Sequence, residues 1–184
     1  MAECNAYCAT PLPEFSINEC NATVAGGGKN AILFDCQAEA VENSDFTAAT
    51  ILTDIAAGHA TVIRDTIIEA AEASPNAASS AAVAGEEPLV KNYTQTIVIS
   101  DPNVSEVNDQ SYQDLDATTG RKVAAVIVTT ADDHSELYVA ISAFQMTVTK
   151  PLTGSIDDFI KYSATLTGKM KHKSDMITTP AGVY

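Results

Sequence analysis

The last third of the chain alternates between apolar and polar residues with the period of a β-strand. In the run FIKYSATLTGK at 159–169, every second residue from Ile160 to Leu166 is apolar and the residues between them are polar. A period of two places the apolar side chains on one face, which is the pattern of a half-buried strand. The run ELYVAISAFQMTVTK at 136–150 predicts the preceding strand. That strand should be bulged or bent, because strands usually have about five or six residues. Together the two runs predict an antiparallel hairpin that ends at Gly168.

Four further runs predict strands, because they are rich in β-branched residues and are bounded by turn residues. They are residues 31–36, 61–68, 92–100 and 121–130. Short turns join several consecutive strands, which favours antiparallel pairing. We therefore expect a mainly β fold, an antiparallel β-sandwich or rolled sheet of about six or seven strands.

One segment predicts a flanking α-helix, at about residues 44–57. Ile51 and Ile55 recur at helical spacing with other apolar residues, so that one face of the helix would be buried. Ser44 is expected to cap the start of the helix, and Gly58 to end it in the left-handed conformation.

The length of 184 residues predicts a single domain with an arm. Residues 1–30 are the expected N-terminal arm, and residues 31–184 are the expected β-domain. Residues 104–120 are polar and acidic, and predict a long surface loop with room for a short helix around residues 111–115. Nothing in the sequence has the pattern of a signal peptide or of a membrane helix, so we expect synthesis in the host cytoplasm and no membrane partner.

The charge of the chain is strongly acidic and unevenly placed. The net charge is −14, but residues 1–149 carry 21 acids against five bases, while residues 150–184 carry three acids against five bases. This balance argues against a protein that grips nucleic acid by neutralising phosphates. The basic run KMKHK, which contains Lys169, Lys171 and Lys173, is expected to meet an acidic patch on another copy of the chain.

The four cysteines all lie in the first fifth of the chain: Cys4, Cys8, Cys20 and Cys36. They include no C-x2-C pair, which disfavours a zinc site. Two disulfides and none at all are both compatible with the sequence, and four cysteines allow three pairings.

The sequence contains no motif that predicts an enzyme, a metal site or a cofactor. It has no nucleophile elbow, no HExxH and no EF-hand loop. The adjacent Asp157 and Asp158 lie in a connection with glycine and serine, where aspartate favours turns. We expect no catalytic residue, no metal ligand and no cofactor, and therefore a protein that works by association.

The C-terminal unit ELYVAISAFQMTVTKPLTGSIDDFIKYSATLTGKM resembles the last hairpin of the tail tube (major tail) proteins of tailed bacteriophages. The shared features are a strand like ISAFQMTV, a connection with Asp and Gly, and a strand like FIKYSATLTGKM. The resemblance covers residues 136–170 well. It covers residues 44–130 loosely, through a helix that precedes a strand and a long loop.

The resemblance implies a virion structural protein whose copies form rings, six to a ring, that stack into a tube. DNA would pass through an acidic lumen without specific binding, and the other partners would be further copies and other tail proteins. The loop 104–120 would reach the next ring, with Tyr112 and Leu115 as anchors. Asp157, Asp158 and the three lysines of the KMKHK run are further candidate contacts between subunits.

Two other functions fit the sequence. One is another self-assembling virion or surface component, such as a head–tail joining ring or a pilus-like subunit. The other is a carbohydrate- or receptor-binding β-module. The absence of tryptophan and an aromatic content of 6% count against sugar stacking.

Overall fold

The structure, a computed structural model, describes residues 11–15, 30–44, 46–77, 90–119, 121–129, 134–150 and 161–183. Within them the protein is mainly β, with nine strands and three helices. The strands are β1 (Asn30–Phe34), β2 (Ala60–Ile63), β3 (Ile67–Ala70), β4 (Ser74–Ala77), β5 (Val90–Asp101), β6 (Val123–Thr129), β7 (His134–Thr149), β8 (Tyr162–Met170) and β9 (Asp175–Thr178). The helices are α1 (Glu39–Asn43), α2 (Ala48–Ala57) and α3 (Glu106–Leu115), and a 3-10 turn follows at Ala117–Thr119.

All the strand pairs are antiparallel and form one sheet that does not close. Its order is β2-β1-β6-β7-β8-β5-β3, with β4 also pairing β5 and β9 also pairing β7. The two ends of this path, β2 and β3, are only three residues apart in the chain, at 64–66. Because so short a connection must join the two ends, the sheet is rolled. The predicted antiparallel, mainly β fold is confirmed.

The long strand β7 links the two halves of the roll. Its first half pairs with β6 and β9, and its second half pairs with β8. The register with β8 shifts between Ala140 and Gln145, so the predicted bulge is confirmed. The prediction that the hairpin ends at Gly168 is wrong, because β8 continues to Met170. Gly168 lies inside the strand. A glycine is needed there because a Cβ would come 2.5 Å from Cδ1 of Phe144.

Two apolar clusters lie on the two faces of the sheet. The inner cluster fills the roll with side chains from seven strands and from α3, among them Leu33, Ile97, Tyr112, Phe144 and Leu166. The outer cluster lies on the other face of β1 and β6, where α1 and α2 cover it. β6 is buried along its whole length because both faces of this strand are covered.

The predicted helix at 44–57 is present but starts later than expected. Thr47 caps α2, because its side chain accepts a hydrogen bond from the amide of Thr50. Ser44 instead ends α1 in the left-handed conformation. Gly58 ends α2 with φ of 73° as predicted, and Pro11 packs so close to it that no side chain would fit.

Four other segments differ from the sequence prediction. The run 61–68 is two strands, because the backbone turns at Asp65 with φ of 55° and the chain crosses from one end of the sheet to the other. Residues 74–77 form an edge strand instead of a loop. The expected loop 104–120 is mostly α3 and its 3-10 turn, and β9 was not predicted. Among the described residues, the helices are too short to span a membrane.

Candidate interaction surfaces

The titratable side chains that the structure describes do not gather into a metal site. In this part of the chain, no group of three or more His, Cys, Asp or Glu side chains is placed to hold an ion. What the described surface does offer is two places where exposed valine or isoleucine side chains lie beside charged ones. One is on α3, and the other lies where β7 bends.

Polar side chains hold α3 in place against the roll. Ser105 caps its first turn, and its Oγ accepts a hydrogen bond from the amide of Asn108 at 3.1 Å. Nδ2 of Asn108 donates to the carbonyl oxygen of Asn103 at 2.7 Å. The hydroxyl of Tyr112 donates to Oδ2 of Asp101 at 2.8 Å. The network therefore ties the start and the middle of α3 to the end of β5.

Asp101 is the acceptor at the centre of this network. Its Oδ1 also accepts a hydrogen bond from the amide of Asn103 at 2.8 Å. Burial raises the pKa of the Asp101 carboxyl, while the hydrogen bonds from Asn103 and Tyr112 lower it in part. Burial likewise raises the pKa of Tyr112, so its hydroxyl keeps its proton and remains a donor at neutral pH. The pair tethers a helix to a strand.

Tyr112 and Leu115, the predicted anchors of the 104–120 segment, are each only 1% exposed. The ring of Tyr112 packs against Phe15 and Tyr162, with centroid distances of 4.9 and 4.7 Å. Both residues belong to the inner cluster, because α3 turns its apolar side into the roll. This corrects the expectation that they project from a surface loop. A contact that this segment makes with another subunit must use the outward face of α3.

The outward face of α3 combines apolar and acidic groups. Val107 is 56% exposed, and Val104 is exposed just before the helix. Glu106 and Gln110 are exposed beside them. Asp114 extends the acidic side of this face, and it accepts a hydrogen bond from Gln110 at 3.0 Å. We call these five residues the α3 patch.

A second surface lies at the bend of β7. Val139 and Ile141 are 42% and 49% exposed, on the sheet face that carries the outer cluster but beyond the side chains that cover it. They line a groove of about 350 Å³ together with Lys171, His172 and Lys173, which form the turn between β8 and β9. We call these five residues the corner patch. The groove is apolar at its centre, and its rim carries these basic residues together with one acid, Asp175.

Two of the predicted basic contacts, Lys171 and Lys173, thus lie in the corner patch, and Lys169 is exposed on the adjoining end of β8. Nζ of Lys173 lies 3.6 Å from Oε1 of Glu72. Both of these side chains are exposed, and such surface pairs contribute little to stability. The candidate contacts Asp157 and Asp158 lie outside the described residues.

Part of the predicted arm is docked on the domain. Leu12 is buried in the inner cluster, and the carbonyl oxygen of Pro13 accepts a hydrogen bond from Thr61 at 2.7 Å. The carbonyl oxygen of Glu14 accepts a hydrogen bond from Ser111 of α3 at 2.6 Å. Residues 11–15 therefore lie between β2 and α3 and pack against both.

Cys36, in the turn that follows β1, is disulfide-bonded. The other three cysteines, Cys4, Cys8 and Cys20, lie outside the described residues. Close by, Asp35 is buried, and burial raises the pKa of its carboxyl. The nearby charges of His59 and Arg121 lower that pKa in part.

The outer strands of the sheet leave little free backbone for another chain to pair with. β2, β3, β4 and β9 each have four residues, and β4 contains Pro75. At the edge of the second half of β7, Oδ2 of Asp116 accepts a hydrogen bond from the amide of Val148 at 2.9 Å. Short, interrupted or capped edges resist strand addition. Contact with another copy is therefore expected through side-chain patches.

Comparison with known proteins finds no relative, since no family model, no curated protein and no solved structure matches the chain. The case for a function therefore depends on the surfaces described above and on the resemblance of the C-terminal hairpin.

Sequence reasoning missed most of the residues that form the two patches. The sequence places Val139 and Ile141 in a strand, at the odd-numbered positions that share one face, but the pattern does not show that this face stays uncovered. The capping residue Ser105 followed by apolar residues at Val107 and Leu115 was a signal for α3. The basic run at the C-terminal end is evident in the sequence, but its apolar neighbours in the corner patch come from a strand some thirty residues earlier.

Proposed function

We propose that this chain is a virion structural subunit that self-assembles into stacked rings of a tail tube. The observation that carries the proposal is the grouping of exposed apolar side chains with charged ones in two separate patches, Val107 in one and Ile141 in the other. Isolated surface apolar residues need no explanation, but groups rimmed by polar residues are typical of protein–protein contact sites.

The construction of the sheet also supports a role as a building block. The roll has an apolar cluster on each face, and its long hairpin β7–β8 joins the two halves. Its edges are short or capped, so copies can be brought together without uncontrolled strand pairing. The hairpin is the same unit that resembles the last hairpin of tail tube proteins.

The acidic charge fits passage of DNA through a tube. The net charge is −14. Carboxylates that line a lumen repel the phosphates of DNA and prevent adhesion, and this repulsion acts over about 10 Å at 0.1 M salt. In this proposal the partners are further copies of the chain and other tail proteins, and DNA is a passing cargo.

The test is assembly of the purified full chain over a range of concentrations, followed by negative-stain electron microscopy. We expect hollow tubes with a regular axial repeat. Single closed rings that never stack would favour a joining ring. Monomers at every concentration would contradict self-assembly of any kind.

The disulfide at Cys36 favours a second candidate, a binding module that works in an oxidising environment. Disulfides persist outside the reducing cytosol, and small exported domains use them often. A monomer that unfolds readily on addition of dithiothreitol would support this candidate. Tubes that survive the reductant would count against it.

A further inference from the structure

We propose that the corner patch of one copy binds the α3 patch of the next copy, head to tail. This inference rests on the proposed self-assembly and names the surfaces that perform it. The occupant of the groove at the bend of β7 is thus a second copy of this chain, which presents the outward face of its α3.

Charge complementarity is the first argument. The rim of the groove carries Lys171, His172 and Lys173 against one acid, Asp175, in a chain with 24 acids and only 10 lysines and arginines. A partner that suits this rim must be acidic and must also offer an apolar side chain for Val139 and Ile141. The α3 patch has both properties, because Glu106 flanks the exposed Val107.

The positions of the two patches are the second argument. The hydroxyl of Tyr162, the first residue of β8, donates to the carbonyl oxygen of Ser105 at 3.3 Å, so the start of α3 lies at the start of β8. Lys171 follows Met170, the last residue of β8. The nine residues of β8 span about 27 Å at roughly 3.3 Å per residue. The patches therefore lie at opposite ends of one strand.

This placement suits a head-to-tail contact. A two-fold dimer that joined one corner patch to another would bring four lysine side chains together, which like charges oppose. A head-to-tail contact between the two patches, which lie at opposite ends of β8, leaves one of each free. Such heterologous contacts continue into rings or filaments and do not stop at a dimer. Successive subunits would then follow one another along the direction of β8.

The experiment is a charge swap in the full chain, with assembly followed by sedimentation velocity and electron microscopy. Lys171→Glu and Glu106→Lys should each raise the concentration needed for half-assembly by about tenfold, since like charges then face each other at every contact. The double variant should assemble within about threefold of the wild type, because the opposite charges are restored. Raising the salt to about 1 M, where the Debye length is about 3 Å, should weaken wild-type assembly.

Glu69→Lys is the matched control for Glu106→Lys. It makes the same change in charge at an exposed residue of β3, opposite Val98 of β5 and in neither patch. We expect no weakening of assembly. Thermal unfolding of each variant checks the fold, and Glu106→Lys should lower the unfolding temperature by no more than about 2–4 °C, because it places a positive charge in the first turn of a helix.

The outcomes separate the two proposals. If the wild type assembles and the single reversals assemble at the same concentration, the interface lies elsewhere and this inference is wrong while the proposed function stands. Failure of the double variant to recover would also overturn the pairing of these two patches. A wild type that stays monomeric would overturn both proposals.

Discussion

Two helices of ten residues each lie on this sheet, and different forces hold them there. α2 packs Ile51 and Ile55 onto the outer apolar cluster. α3 also buries apolar side chains, but Asp101, Asn108 and Tyr112 add a buried network of hydrogen bonds. The apolar contact tolerates changes of pH, whereas the network depends on every member keeping its partner. The contrast also decides which helix can be recognised from the sequence.

Removing the apolar contact of α2 should have the largest effect. Ile51 is fully buried, so Ile51→Ala should lower the free energy of unfolding by about 2–5 kcal/mol through lost burial and a cavity. Chemical denaturation followed by circular dichroism measures it. The neighbouring Leu52 is 48% exposed, and Leu52→Ala should cost less than about 0.5 kcal/mol. Similar losses in the two variants would mean that α2 does not pack as described.

Breaking the tether of α3 should have an intermediate effect. Asp101→Ala leaves the hydroxyl of Tyr112 and the amide of Asn103 buried without their acceptor, which should cost about 1–3 kcal/mol. Tyr112→Phe should cost about 1 kcal/mol. In a double-mutant cycle the two changes should couple by about 0.5–3 kcal/mol. If the losses of the two single variants simply added, the hydrogen bond would contribute nothing to stability. Asp175→Ala is the control, because it removes an exposed carboxylate on β9.

The smallest expected effect is the dependence of stability on pH that Asp101, at the base of α3, contributes. Burial raises the pKa of Asp101 above its value of 3.8 in the unfolded chain. The folded state therefore binds the proton more tightly. The stability that this proton contributes is fully present below pH 3.8 and is lost as the pH rises through the folded pKa.

The measurement compares wild type with Asp101→Asn, because all other titrating groups are common to both. The free energy of unfolding of the wild type should rise relative to the variant as the pH falls from 7 towards 4. The difference between Ile51→Ala and wild type should stay constant over the same range. If the wild type instead lost stability relative to Asp101→Asn as the pH fell, the direction assigned to the pKa shift of Asp101 would be wrong.

The sequence predicts the elements whose burial is periodic. β8 and β6 were found because their apolar residues alternate or run continuously, and α2 because its apolar residues recur at helical spacing. The residue that caps a helix was predicted less well. Ser44 and Thr47 are both good capping residues, and only the presence of the separate helix α1 decides between them.

Elements stabilised by distant polar partners were not predictable in the same way. α3 buries Asn108, Ser111 and Tyr112, and the first two look like surface residues in the sequence. β9 is a short edge strand whose partner, β7, is about forty residues earlier in the sequence. The alternation in the two C-terminal runs predicts the pairing of β7 and β8 correctly, but it does not locate the residues that the two patches expose.

The connection at residues 64–66 has a consequence for how this chain folds. It joins β2 and β3, which occupy the two ends of the sheet path. Neither end strand can therefore complete its pairing until the other is close to its own partner strand. Their partners β1 and β5 lie far apart in the chain, and loop closure must precede the gain from pairing. The late step of folding should therefore be closure of the roll, and refolding should take on the order of milliseconds to seconds, as in other sheets dominated by non-local pairs. Because β8 lies between β7 and β5 in the sheet and follows both of them in the sequence, the roll can close only after most of the chain has been synthesised.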